Sequence, residues 1–162
     1  SAPIIAEDLG TITPDVVELR KNNNYPGMKI MQFGFESCNP EDGFLPWNAE
    51  EDFVIYTGTH DNDTTLGWYR SAPQHIKDFY HQHINASNEH EAVWEMIRLG
   101  MESKAVLCIT PLQDILVQGS EARMNFPGVA ENQWQYRYPA HLLTPDHAKQ
   151  LAALVQKTQR QG

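Results

Sequence analysis

Phe53-Val54-Ile55-Tyr56-Thr57-Gly58-Thr59-His60-Asp61-Asn62-Asp63 is a β-branched and aromatic run that stops at glycine and leads into a cluster of ionisable side chains. A short apolar stretch bounded in this way reads as a strand buried on both faces. Such strands deliver charged groups to the mouth of an α/β fold. Pro3-Ile4-Ile5-Ala6-Glu7-Asp8-Leu9-Gly10 has the same design and reads as an earlier strand. Glu7 and Asp61 are far enough apart in sequence for crossover helices and another strand to lie between them.

Working outward, Thr13-Pro14-Asp15 reads as an N-cap with proline at the first helical position, followed by Val16, Val17 and Leu19. Asn22-Asn23-Asn24 and Pro26-Gly27 end that helix. Met28-Lys29-Ile30-Met31-Gln32-Phe33-Gly34-Phe35 reads as a second strand, and a Pro-, Gly- and acid-rich loop over residues 39–52 leads to the third at Phe53. Beyond Asp63, Ser71-Ala72-Pro73-Gln74 starts a helix with Ile76, Phe79 and Tyr80 on one face. Asn88 caps another, which carries Val93, Met96, Ile97 and Met101. Ala105-Val106-Leu107-Cys108-Ile109-Thr110 reads as a fourth strand. A polar stretch over residues 118–138 precedes a last helix, capped by Thr144-Pro145 and bearing Leu151, Leu154 and Val155. Alternation of strands and helices predicts a parallel sheet with right-handed crossovers. On alternation alone, a doubly wound sheet and a barrel segment fit equally well.

At 162 residues with 41% apolar composition, four Trp, six Tyr and six Phe, the chain has the material for a packed core. Its net charge of −9 argues against nucleic-acid and anionic-membrane partners, since both carry the same sign. Cys38 and Cys108 lack metal-ligand or redox spacing, and Cys108 sits in an apolar run, as a reduced core thiol does. No apolar run approaches membrane-spanning length and no signal segment opens the chain, so a cytoplasmic setting is expected. Because the chain begins almost directly on a strand, its natural N-terminus is expected to lie elsewhere. No Gly-x-Gly-x-x-Gly follows a strand, and no phosphate-cradling Gly-x-x-x-x-Gly-Lys loop occurs.

Two carboxyls from different strands meeting over one pocket is the arrangement that acid/base sugar chemistry requires. Glu7 and Asp8 are neighbours on an extended segment and point to opposite faces, so they do not pair with each other. One of them can face a pocket while the other anchors a loop. For His60, Asp61, Asn62 and Asp63 three readings stand. His60, Asp61 and Asp63 could bind a divalent cation in a metal-dependent hydrolase. The group could form a hydrogen-bonded turn without chemistry. Or Asp61 and His60 could grip sugar hydroxyls. Trp47, Tyr56, Trp68 and Tyr69 cluster near these loops; flat aromatic faces suit pyranose rings, and ordinary core packing explains them as well. His81 and His83 read as solvated surface residues. Arg123 and Asn125 read as a charge clamp and a hydroxyl-binding amide, or as loop supports.

Taken together, these segments resemble the 4-α-glucanotransferases of the amylomaltase (disproportionating enzyme) family. The resemblance is carried by Ile5-Ala6-Glu7-Asp8-Leu9-Gly10 with Thr13-Pro14, and by Pro26-Gly27-Met28-Lys29 leading to Gln32-Phe33. It continues through Tyr56-Thr57-Gly58-Thr59-His60-Asp61-Asn62-Asp63-Thr64-Thr65-Leu66-Gly67-Trp68-Tyr69. It ends with Gln113-Asp114, Gly119-Ser120-Glu121-Ala122-Arg123-Met124-Asn125 and Trp134. It covers nearly the whole chain in order.

The resemblance implies the C-terminal half of a single (β/α)8 TIM barrel, with about four parallel strands and their helices, incomplete as a barrel. It also implies a retaining transferase acting on maltooligosaccharide or starch-type glucan, with no cofactor or metal for the chemistry. Glu7 would then be the general acid/base, and Asp61 the third carboxylate that stabilises an oxocarbenium-like transition state. His60, Asp8, Asn125 and Arg123 would line the glucan site. A non-catalytic glucan-binding domain is the remaining alternative.

One departure from the family pattern is large. The family's nucleophile is an aspartate within Arg-x-Asp. Arg20, Arg70, Arg98, Arg123, Arg137 and Arg160 have Asn, Ala, Gly, Asn, Pro and Gly two positions later. A complete barrel needs roughly 250 residues. The expectation is therefore a chain without its N-terminal half, inactive alone, whose open strand edges need that half or another chain to cover them.

Overall fold

The structure, a computed structural model, describes residues 4–160. Three parallel strands form its sheet in the order β1-β2-β3: β1 (Gly27–Ile30), β2 (Phe53–Tyr56) and β3 (Leu107–Ile109). The register pairs Met28 with Val54 and Val54 with Leu107. Among the described residues seven α-helices accompany them: α1 (Pro14–Asn22), α2 (Met31–Glu36), α3 (Thr65–Ser71), α4 (Gln74–His81), α5 (Glu89–Glu102), α6 (Leu112–Ile115) and α7 (Pro145–Thr158). This is an α/β fold of parallel strands and helices whose sheet does not close into a barrel. No helix is long and apolar enough to cross a membrane among the described residues.

Two strand expectations need correction. The segment around Glu7 is not a ladder strand, and Pro3 lies outside the described residues. Ala6 N–H donates to Pro26 O at 2.8 Å, but the next donor along β1, Met28 N–H, is taken at 2.7 Å by the Asp8 carboxylate. A side chain replaces the backbone acceptor, so the segment lies along β1 without extending the sheet. Gly27 permits this approach, because a Cβ there would stand 2.4 Å from Asp8 Oδ2. The expected strand over residues 28–35 also stops at Ile30 and turns straight into α2. Met31, Gln32, Gly34 and Phe35 are all buried there. An apolar run this short carries too little periodicity to separate strand from helix.

The helix starts read from sequence hold where a cap chemistry is present. Asn88 Oδ1 accepts Glu91 N–H at 2.9 Å at the start of α5. Thr144 precedes Pro145 at the start of α7. Two short helices, α3 and α6, went unread. The first starts at a cap inside the acidic segment, where Thr64 Oγ1 accepts Gly67 N–H at 3.1 Å.

The core lies between the sheet and α2–α5, centred on Phe35 with Met31, Ile55, Tyr80 and Met96. The Tyr80 hydroxyl is buried there and donates to Ala92 O at 2.7 Å. Leu151, Leu154 and Val155 of α7 pack on Trp94, Ile97 and Met101 of α5. β3 is an edge strand of the sheet, and its Leu107 and Ile109 remain 48% and 40% exposed.

Cys108 is a free thiol, and burial pushes its pKa up to about 11. Because the thiolate is the reactive form, Cys108 should be alkylated by iodoacetamide at pH 8 on the order of a hundredfold more slowly than a free cysteine. Unfolding in urea should remove that protection. Fast labelling in the folded protein, read by peptide mass spectrometry, would contradict the packing described here.

Candidate active site

The β2–α3 loop, residues 57–64, begins where the sheet ends and doubles back on itself. Asn62 Oδ1 accepts both the Thr59 N–H at 2.9 Å and the Thr59 hydroxyl at 2.8 Å. Thr59 Oγ1 in turn accepts Asp61 N–H at 3.3 Å. This local clasp puts His60 and Asp61 at the tip, with His60 Nε2 3.4 Å from Asp61 Oδ1 and both side chains about half exposed (53% and 51%). Gly58 lets the Gln32 amide come close to the turn, since a Cβ there would stand 2.7 Å from Gln32 Nε2. That same Gln32 amide donates to Asp63 O at 3.0 Å and holds the loop against α2.

The tip is also gripped from the side by residues 119–125. Asn125 Nδ2 donates to Asp61 Oδ1 at 2.6 Å, and Arg123 Nη2 donates to Asp61 O at 2.6 Å. Arg123 Nε returns to Asn125 O at 2.8 Å, and its guanidinium lies over Phe126 at 4.2 Å. The two residues read as glucan ligands thus both bind Asp61, leaving its Oδ2 without a hydrogen bond among the described residues. Trp134 packs its ring against His60 at 4.8 Å.

Glu7, His60 and Asp61 line one cavity of about 840 Å³, together with Tyr56, Phe33, Met28, Ile109 and Pro127. Glu7 is exposed in it. The size falls within the range of pockets that enclose drug-sized ligands. Asp8 is not brought to this cavity. Its carboxylate turns away to Met28 N–H and to Arg20, with Oδ2 3.4 Å from Nε, and it lines a separate cavity with Lys29 and Phe53. Glu7 and Asp8 do face opposite ways, with Asp8 anchoring its segment to β1.

The three-residue metal reading does not assemble. Asp63 accepts the Ser120 hydroxyl at 2.6 Å and Thr64 N–H at 2.8 Å, turning it toward the 119–125 segment. Among the described residues no three His, Cys, Asp or Glu side chains are grouped to hold a metal ion.

Of the four aromatics noted near the loops, only Tyr56 reaches the cavity. Trp68 is buried and donates to Glu36 at 3.0 Å, Tyr69 bonds His81, and Trp47 stacks on His83 at 4.3 Å. His83 is therefore half-buried instead of fully exposed, and burial lowers its pKa. Phe33 and Ile109 were missed as cavity residues. Phe33 falls in the stretch misread as strand. Ile109 closes a strand whose alternation alone signals which side it faces.

The profile of the 4-alpha-glucanotransferase family matches residues 1–144. The 4-alpha-glucanotransferase of Thermus thermophilus is 47% identical over 165 residues, covering 98% of this chain and 33% of that protein. The Synechocystis sp. 4-alpha-glucanotransferase is 47% identical over 139 residues, covering 84% of this chain and 27% of that protein. Among solved structures, the amylomaltase from Streptococcus agalactiae in complex with acarbose superposes with a TM-score of 0.94 at 30% identity. That match covers 100% of this chain and 33% of that one. The Corynebacterium glutamicum amylomaltase, at TM-score 0.62 and 16% identity over 83% of this chain and 24% of that one, shares the fold. The chain thus spans about a quarter to a third of the length of these relatives. With the profile matching most of its length, the chain belongs to the 4-alpha-glucanotransferase family.

Proposed function

We propose that this chain is the acid/base-bearing part of a 4-α-glucanotransferase, the C-terminal portion of one catalytic barrel. The whole enzyme would move α-1,4-glucan segments between maltooligosaccharides by retaining double displacement. The observation that carries this reading is the meeting of Glu7 with His60 and Asp61 in one cavity, from segments more than fifty residues apart in the chain. Glu7 gives its proton to the glycosidic oxygen as the leaving glucan departs. It then takes a proton from the hydroxyl of the incoming glucan.

Asp61, held through Oδ1 by Asn125, keeps its second oxygen for the hydroxyls of the reacting sugar and counters positive charge developing on the ring. His60 touches the same sugar, while Tyr56 and Phe33 give its C–H faces an apolar wall. Asp8 contributes through the backbone of β1. The nucleophile comes from polypeptide that also covers the open sheet edge.

The test joins this chain to the complementary two thirds of the Thermus thermophilus relative, replacing the third that it matches. The joined protein should convert maltotriose into glucose and longer maltooligosaccharides, while the 162-residue chain alone should not. Redistribution by the chain alone would overturn the assignment of the nucleophile. Absence of any redistribution by a folded joined protein would overturn the reading of the site.

A further inference from the structure

Asp114 takes no part in the chemistry just described, yet it is among the most buried polar residues of the chain at 1% exposure. It lies on α6 and reaches across to both ends of the β2–α3 loop. Its Oδ2 accepts the Thr57 hydroxyl at 2.6 Å and the Thr65 hydroxyl at 2.7 Å, and its Oδ1 accepts Thr65 N–H at 2.7 Å. Thr57 is the first residue after β2, and Thr65 is the first of α3. His60 and Asp61 stand between them.

A buried carboxylate is costly unless donors meet it, and here every donor comes from the two ends of one loop. The three short bonds therefore fix the distance between those ends. The same helix reaches the segment that grips the loop tip, since Gln113 Nε2 donates to Ala122 O at 3.3 Å. Beside this junction is a cavity of about 220 Å³, lined by His60, Asp63, Arg123 and Asp114.

We propose that Asp114 is a positioning residue, whose buried carboxylate clasps Thr57 to Thr65 and so sets where Asp61 stands in the glucan cavity. The proposal rests on the reading of Asp61 as the third carboxylate. A shift of about 1 Å in a catalytic group costs on the order of a hundredfold in rate, so loss of the clasp acts on turnover more than on affinity.

The experiment is a double-mutant cycle in the joined protein, with kcat and KM measured for transfer from maltotriose. Asp114→Asn sets an amide N–H against donors that need an acceptor, and should lower kcat by about ten- to a hundredfold with KM changed less than about threefold. In an Asp61→Asn background the same change should cost less than about threefold further, because the group that it positions is already disabled. Thr57→Val and Thr65→Val should repeat the pattern, and Thr57→Ser and Thr65→Ser, which keep the hydroxyl, should restore most of what the Val variants lose. The threonine variants carry the cycle if Asp114→Asn does not fold. Equal losses in both backgrounds, or an unchanged kcat, would overturn the clasp. If Asp61→Asn alone leaves kcat intact, the reading of the site fails first, and the clasp with it.

Discussion

Glu7→Gln, introduced into the joined protein, should lower transfer from maltotriose by roughly a thousandfold or more while maltooligosaccharide binding changes only a few-fold. The amide keeps the volume and hydrogen-bonding reach of the carboxyl group. It can neither deliver a proton to the leaving oxygen nor take one from the acceptor, and general acid/base assistance is typically worth 10²–10⁴ in rate at each step. The variant also separates chemistry from folding. With α-glucosyl fluoride as donor and azide as acceptor, neither step needs proton transfer, so Glu7→Gln should recover much of its lost activity. Turnover of maltotriose within tenfold of the unsubstituted protein would remove Glu7 from the acid/base role. Loss that fluoride and azide do not relieve would point to a structural defect instead.

Phe35→Ala should have the largest effect on stability, about 3–5 kcal/mol. The side chain is fully buried, and its ring meets Tyr80 edge-on at 4.7 Å, with Trp47, Trp68 and Phe79 at 5.9, 6.2 and 6.2 Å. Truncation removes the contact shared by α2, α3, α4 and the loop before β2, and leaves a cavity that aromatic neighbours fill poorly. Domains are held by only about 5–15 kcal/mol in total, so this one change takes a large part of the margin. Urea unfolding of the chain, followed by tryptophan fluorescence, should show the midpoint falling by several times the shift seen for Phe35→Leu. A loss below about 1 kcal/mol would mean that Phe35 is not the hub of the core.

The caps and amphipathic stripes of α5 and α7 were legible because their signals are local. Asn88 and Thr144 announce the starts, and 3.6-residue spacing announces the face that packs, buried on α5 and partly buried on α7. Residues 28–35 were not legible, since so short an apolar run looks the same whether it continues as strand or turns into helix. α3 was hidden by its position inside the acidic segment, where Thr64 reads as part of a polar turn. The carboxylates of the site stood out through their placement after β-branched runs. The aromatic cluster misled, because proximity in sequence does not tell a core ring from a cavity wall.

By itself, the order of residues determined the family, the parallel α/β architecture and the candidacy of Glu7, His60 and Asp61. Each of these depends on side-chain type and spacing along the chain. The tertiary structure alone decided which way Asp8 turns, that Arg123 and Asn125 grip Asp61, and that Asp114 ties Thr57 to Thr65. Those outcomes turn on angstrom-scale distances between segments more than fifty residues apart in most cases. A carboxylate's neighbours across the fold, which set what it can bind, leave no trace in its immediate sequence.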